Sequence, residues 1–161
     1  DLGESMNEQY EYIRYGSKWE KFIENVNTLK NYFDPKVISL QMVYHALNTQ
    51  SIFEYIELMA RLGIPKETMN VYFYCGGSGG NLDPRNLPEH LIHQAIETLD
   101  INIDQSNTHY NNNLKTIINL IKTPYTRNSN HLYTELSTLD NRRNLNSREI
   151  FPEIYQYKDT P

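Results

Sequence analysis

The sequence predicts an α/β fold with parallel strands in its first half and helices alone in its second half. Over residues 1–80, apolar patterns typical of helices and of strands alternate in the order helix, strand, helix, strand. Strands that alternate with helices usually lie parallel in one sheet, because each helix carries the chain back to the same edge. From residue 81 onward only helical patterns recur. We therefore expect an α/β part, residues 1–80, and a helical C-terminal extension, residues 81–161.

The two predicted strands are residues 37–44 and 69–75, which are rich in apolar side chains and shorter than an ordinary helix. A helix precedes the first strand, and its apolar stripe is Trp19, Phe22, Ile23, Val26 and Leu29. A second helix lies between the strands, and its stripe is Ile52, Tyr55, Ile56, Met59 and Leu62. Gly63 and Pro65 follow this stripe, as is common where helices end.

Three more helical stripes and one final turn are predicted in the second half. The stripes are Leu91, Ile92, Ala95, Ile96 and Leu99; Leu114, Ile117, Ile118 and Ile121; and a shorter one, Leu132, Leu136 and Leu139. A last turn around Ile150 and Phe151 is expected to end at Pro152, because proline cannot continue a helix.

Composition narrows the possible partners and the compartment. The formal net charge is -5 and the pI is near 5.5, which makes nucleic acid an unlikely partner because phosphate binding requires a basic face. No apolar run approaches the roughly 20 residues that span a bilayer, so we expect no membrane partner. The single cysteine, Cys75, cannot form an internal disulfide, which favours a reducing, cytoplasmic location.

The first four residues, Asp1-Leu-Gly-Glu, are typical of a loop that leads from a strand into a helix. No strand precedes them here. We therefore expect a fragment, a proteolytic product or one half of a split protein.

Residues 76–80, Gly-Gly-Ser-Gly-Gly, follow the second predicted strand, where α/β proteins bind ligands. The run lacks the Gly-Lys-Ser/Thr ending of a phosphate-binding loop, which makes that interpretation weak. A flexible surface connection is the preferred interpretation, and an engineered linker is the other.

Several short motifs occur in an order that points to one enzyme family. Asp1-Leu-Gly-Glu and Ile13-Arg-Tyr-Gly precede the first helical stripe, and Leu82-Asp-Pro-Arg-Asn-Leu-Pro-Glu precedes the third. Near the C-terminus, Leu139-Asp-Asn-Arg-Arg-Asn precedes Phe151-Pro-Glu. Together these segments resemble the second half of twitch-type radical S-adenosylmethionine (radical SAM) proteins.

The resemblance implies a partial (β/α)6 barrel, to which this chain would supply the fifth and sixth strands. It also implies S-adenosylmethionine and a [4Fe-4S] cluster in the complete enzyme, and hydrogen abstraction from a peptide or small-molecule substrate. The family's Cys-x-x-x-Cys-x-x-Cys loop is absent from these 161 residues, and one cysteine cannot hold a cluster. The chain alone is thus expected to bind neither cofactor stably and to need an N-terminal barrel half, in cis or in trans.

The resemblance also assigns roles to individual residues. Arg14 matches an arginine that binds the methionyl carboxylate of the cofactor, for which a planar guanidinium is well suited. The alternative is an exposed arginine at a helix start. Asp1 stands where the family contacts ribose hydroxyls, and Glu4 is a weaker candidate that also fits a solvated loop charge.

Under the barrel interpretation, alternate strand residues point inward. Ser39 and Gln41 would hydrogen-bond to cofactor or substrate, or else form a polar pair facing solvent. Tyr72 and Tyr74 share one face of the second strand and would stack on adenine or line a substrate pocket, although core packing is the commoner use of such residues.

Other polar residues have weaker functional interpretations. Cys75 is expected to be a buried structural thiol. His90, His93 and Glu97 share a helix face and could bind a metal, but an exposed polar stripe is much commoner. Arg142 and Arg143 could meet an acidic partner, but the preferred interpretation is that they are helix C-terminal charges that interact favourably with the helix dipole. A non-catalytic binding or structural module derived from the barrel is the alternative to an enzyme part.

Overall fold

The computed structural model describes residues 2–73, 80–104 and 108–156. Asp1, Tyr74, Cys75 and most of the glycine run lie outside the described residues. The first half contains helices α1 (Leu2–Ile13), α2 (Trp19–Tyr32) and α3 (Ile52–Arg61) and strands β1 (Leu40–Tyr44) and β2 (Met69–Phe73). The second half contains helices α4 (Glu89–Ile101), α5 (Thr108–Lys122), α6 (Ser129–Arg143), α7 (Ser147–Ile150) and α8 (Pro152–Tyr155).

The predicted α/β class is confirmed, because β1 and β2 pair in parallel and α3 connects them. Gln41 lies opposite Asn70, and Val43 lies opposite Tyr72. Within the described residues the sheet has these two strands, and they form no barrel.

The first strand is shorter than predicted because its expected beginning is helical. Pro35–Val37 forms a 3-10 turn, in which the Asp34 side chain accepts a hydrogen bond from the backbone N–H of Lys36. Proline fixes the backbone angle that starts such a turn, so the strand begins only at Leu40. Ser39 therefore lies just before β1 rather than inside it.

The loop expected at Asp1-Leu-Gly-Glu is a further correction, since helix α1 already begins at Leu2 and continues to Ile13. The helix is fixed by packing at its C-terminal end, where the buried Tyr12 ring meets the Phe151 ring edge-on with centroids 5.2 Å apart. A partner more than a hundred residues away provides this packing, so local sequence could not reveal it.

Glycine follows the end of two helices, α1 and α3, in a left-handed conformation. Gly16 has φ +86° and Gly63 has φ +86°, a left-handed conformation that residues with a Cβ rarely adopt. At Gly16 the chain reverses, the backbone N–H of Ser17 donates to the Arg14 carbonyl at 2.8 Å, and α2 begins two residues later. The glycine of the Ile-Arg-x-Gly motif is thus explained by a helix end.

The C-terminal helices differ from the prediction in two respects. Helix α6 spans 15 residues, although its apolar stripe is short, and it ends at Asn144 with φ 53°. Pro152 begins α8 rather than only ending α7. Proline is well accommodated in the first turn of a helix, because the N–H that it lacks would have no partner there.

Candidate functional site

A cavity of about 330 Å³ runs along β1, between that strand and helices α1, α2 and α3. We call it the aromatic pocket. Its wall includes four rings, Tyr10, Trp19, Phe22 and Tyr55, whose neighbouring centroids are 5.1 to 6.4 Å apart. These centroid distances and ring orientations are the ones that packed aromatic side chains prefer. The pocket therefore presents aromatic surfaces on which a flat apolar group could pack.

The turn between α1 and α2 brings the rings together. The Glu11 carboxylate accepts the backbone N–H of Trp19 at 3.2 Å and the Lys18 ammonium at 2.6 Å. The hydrogen bond from Lys18, followed by that from Trp19, lowers the pKa of Glu11. Because Glu11 bonds to the start of α2, Trp19 is held beside Tyr10 of the preceding helix.

Arg14 and Gln41, which were both predicted to bind the cofactor, line the same pocket. Arg14 is at the turn after α1 and is exposed, and Gln41 is on β1. Among the described residues that line the pocket there is no aspartate or glutamate. In a chain of formal charge -5, a pocket with one arginine and no carboxylate favours an anionic group.

His45 also lines the pocket, and sequence reasoning missed it. It directly follows β1, and ligand sites in parallel sheets lie at the carboxyl ends of strands, which is the signal that could have found it. Its Nδ1 accepts the backbone N–H of Leu47 at 3.2 Å, so in the neutral ring Nε2 carries the proton. Burial, together with the positive charge of Arg14, lowers the pKa of His45 to about 4.

Asn48 fixes the strand end next to this histidine. Its side-chain oxygen accepts the backbone N–H of His45 at 2.9 Å, and its side-chain nitrogen donates to the Val43 carbonyl at 2.8 Å. The Asn48 side-chain amide thus bonds to the backbone at Val43 and at His45, on the C-terminal end of β1, and holds His45 at the pocket wall. This residue, too, was absent from the predicted set.

The outward face of the sheet, which we call the open face, consists of Ser39, Gln41, Val43, Asn70 and Tyr72, and of these Gln41 and Val43 also line the aromatic pocket. The strand residues alternate in burial, with Met42, Tyr44, Met69 and Val71 in the core. Val43 is 40% exposed and Tyr72 is 50% exposed. The Asn70 side chain donates to the Ser39 hydroxyl at 3.0 Å and contacts His109 of α5. Tyr72 is therefore a surface ring, and core packing does not explain it.

The remaining candidates lie elsewhere. Asp1, Tyr74 and Cys75 are outside the described residues, and Glu4 belongs to α1, more than two turns before Arg14. His93 and Glu97 are exposed on α4, as is His90, and the described part of the chain has no group of three metal-binding side chains.

The Leu82-Asp-Pro-Arg motif has a structural explanation. Asp83 is buried and accepts hydrogen bonds from the backbone N–H, Nε and Nη2 of Arg85 at 2.6 to 2.9 Å. The guanidinium carbon of Arg85 lies 4.1 Å from the Tyr125 ring centre, a cation–π contact. The motif therefore holds the loop before α4 rather than facing the pocket.

On the other side of α1, a hydrogen-bonded network joins the N-terminal helix to the C-terminal helices. We call it the clamp: Tyr12, Asp140, Arg143, Ser147 and Tyr155. The Asp140 carboxylate accepts the Tyr12 hydroxyl at 2.8 Å, the Ser147 backbone N–H at 3.0 Å and the Ser147 hydroxyl at 2.7 Å. The Ser147 and Tyr155 hydroxyls are 2.6 Å apart.

The clamp accounts for the C-terminal motif. Asp140 and Arg143 are two of its residues, and Phe151 packs on Tyr12. Arg143 donates from Nη1 to the Tyr12 carbonyl at 2.6 Å, so it bonds to a different helix from its own. Arg142 and Arg143 both lie in the last turn of α6, as expected, and Arg142 is exposed.

Comparison with protein-family models, curated proteins and solved structures finds no match to this chain. None of the helices in residues 2–73, 80–104 and 108–156 combines the length and the apolar character needed to cross a bilayer.

Proposed function

We propose that the chain is part of a radical SAM enzyme, to which it contributes residues that contact the cofactor and the substrate. The iron–sulfur ligands would come from another segment or polypeptide, because this sequence has a single cysteine. When bound, S-adenosylmethionine and the cluster would supply the radical chemistry for hydrogen abstraction, and the residues of this chain would bind and orient the cofactor and the substrate.

The observation that carries the proposal is the open face of a parallel sheet. Parallel sheets are normally covered on both faces, so an exposed face calls for a further layer. In a (β/α)6 barrel the outer face carries helices and the inner face surrounds the ligands. Gln41 and Tyr72, both named from the sequence, lie on this exposed face, and Val43 is paired with Tyr72 across the two strands. Such an arrangement supports an inner barrel face.

The donor set of the aromatic pocket fits the cofactor but not the cluster. Arg14 would bind the methionyl carboxylate, because its guanidinium can donate two parallel hydrogen bonds and no carboxylate among the described lining residues competes for it. Ser39 and Gln41 would hydrogen-bond to the cofactor or substrate, and Tyr72 would stack on a flat group. Asp1 and Tyr74 complete the proposed set.

The proposed partner is the cysteine-bearing barrel half, joined in cis or supplied in trans. Within the described residues, β1 has a strand partner on one edge alone, and the aromatic pocket runs along the same strand. An unpaired strand edge readily accepts another strand. The substrate class, peptide or small molecule, is left open by this geometry.

The test is an anaerobic assay of this chain joined to or mixed with the cysteine-bearing half of a twitch-type radical SAM protein, reconstituted with iron and sulfide. After S-adenosylmethionine and dithionite are added, chromatography should detect 5′-deoxyadenosine. Arg14→Gln should lower its yield about tenfold, the value of one charged hydrogen-bonded contact. Arg142→Gln is the matched control and should leave the yield unchanged. No product and no association of the halves would overturn the proposal.

A non-catalytic binding or structural module is the second candidate, and the exposed Val43 and Tyr72 favour it as well, since such a face also suits a protein partner. Sedimentation separates the two. A module should form a complex that survives without iron, whereas a well-folded chain that stays monomeric with every partner tried would exclude it.

A further inference from the structure

Arg143 contacts both the last turn of α1 and the turn that follows it. Arg143 donates to the Tyr12 carbonyl, and its guanidinium carbon lies 5.7 Å from the Tyr12 ring centre and 5.2 Å from the Tyr15 ring centre. Tyr12 precedes Arg14 by two residues, and Tyr15 follows it directly. Arg143 therefore contacts the chain on both sides of Arg14.

These contacts suit an arginine for two physical reasons. The last carbonyls of a helix have no partner within it, and an external N–H can satisfy one of them. A planar guanidinium can also face aromatic rings while its N–H groups bond in its own plane, which the ammonium of lysine cannot do. A side chain that does both restrains the direction in which the turn leaves the helix.

Arg143 is itself fixed by its surroundings. It ends α6, one turn after Asp140, whose carboxylate is bonded to Tyr12 and Ser147. The next residue, Asn144, adopts a left-handed conformation that ends the helix sharply. The end of α6 thus has a defined position relative to α1.

We propose that Arg143 is a positioning residue that holds Arg14 at the mouth of the aromatic pocket. This inference rests on the proposed role of Arg14 as the pocket's anion-binding group. It assigns the C-terminal helices a task at the site although the described residues of the clamp do not line the pocket.

The sole tryptophan of the chain, Trp19, lines the pocket and can report on Arg14 without any ligand. Quenching of its fluorescence by iodide, an anion, is compared with quenching by neutral acrylamide at constant ionic strength. Arg14→Gln should lower the iodide-to-acrylamide ratio about twofold, the effect of one screened unit charge a few ångströms away. Arg143→Lys keeps the charge but loses the planar contacts, and it should lower the ratio by most of that factor. Arg142→Lys is the matched control and should leave it unchanged.

The outcomes separate the two proposals. If Arg14→Gln leaves the ratio unchanged, the charge of Arg14 does not reach the pocket, and both the anion-binding role and this inference fail. If Arg14→Gln lowers the ratio and Arg143→Lys does not, the positioning role alone is wrong. Tyr15→Leu, at a side chain 61% exposed, is the second variant if Arg143→Lys does not fold, and it should lower the ratio in the same direction. An unchanged ratio there would also overturn the inference.

Discussion

The two sides of helix α1 differ in whether the polar groups there have hydrogen-bond partners. On the clamp side, the Asp140 carboxylate accepts three hydrogen bonds, one from Tyr12 and two from Ser147. On the pocket side, the Gln9 side-chain oxygen is buried without a partner among the described residues, and Arg14 faces no carboxylate among the described residues that line the pocket. Satisfied networks stabilise one structure, whereas unsatisfied polar groups are available to a ligand. The comparison indicates that the clamp maintains the fold, whereas the pocket retains polar groups that a ligand could bond.

The largest expected effect tests the clamp side. Phe151 is fully buried and packs edge-on against Tyr12. Phe151→Ala should lower the free energy of unfolding by about 4 kcal/mol, because it removes buried surface and leaves a cavity. Phe33→Ala, at a phenylalanine 55% exposed, is the control and should change it by less than about 0.5 kcal/mol. Urea denaturation measures the free energy of unfolding of both variants. Equal losses in the two would contradict the stabilising role of the buried Phe151.

The next effect belongs to the pocket side and depends on pH. The pKa of His45 is about 4 when folded, against an ordinary value of 6.5. The unfolded chain therefore binds more protons between these values, so stability should fall as pH drops from 6.5 to 4, by on the order of 3 kcal/mol. Below the folded pKa both states are protonated and the slope from this residue ends. His45→Asn keeps an acceptor for the Leu47 N–H but cannot titrate.

The measurement is the free energy of unfolding against pH, taken as the difference between the protein and His45→Asn. Subtraction removes the carboxylates that titrate in the same range. A difference that stays constant from pH 6.5 to 4 would show that His45 is not held neutral by burial beside Arg14.

Two tyrosine hydroxyls should give effects of opposite sign. Tyr12→Phe removes a hydrogen bond to Asp140 and should destabilise the fold by about 1 kcal/mol. The Tyr44 hydroxyl is buried without a partner among the described residues, and burial raises its pKa. Tyr44→Phe should therefore be neutral or should stabilise by up to about 1 kcal/mol, since a buried unbonded hydroxyl is unfavourable. Thermal unfolding of both variants checks the sign, and a marked loss in Tyr44→Phe would contradict the assignment.

The smallest effect on stability is expected at the proposed binding group. Arg14 is exposed, so Arg14→Gln should change the free energy of unfolding by less than about 0.5 kcal/mol while lowering 5′-deoxyadenosine yield in the reconstituted enzyme. Calorimetry together with the product assay provides the test. A large loss of stability would mean that Arg14 stabilises the fold, as the clamp residues do, and is not reserved for a ligand.

The sequence determined the elements whose signal is local. Apolar spacing predicted helices α2 to α6 and both strands, and Gly63 marked a helix end, because periodicity and left-handed backbone depend on near neighbours. Strand alternation predicted Ser39 and Gln41 on one face of the first strand and Tyr72 and Tyr74 on one face of the second, since side chains in a strand alternate with period two. The register of the two strands decided that Gln41 and Tyr72 share a face.

Tertiary structure alone decided the rest. A loop was expected at residues 1–4, but Leu2–Ile13 form helix α1, whose packing partner Phe151 is distant in the sequence. The meeting of Arg14, Gln41 and His45 around one pocket depends on the turn at Gly16 and on the path of β1, not on spacing. The clamp joins Tyr12 to Asp140 across 128 residues. Contacts of this kind form when whole helices pack together, and no local pattern in the chain encodes which distant side chain will be the partner.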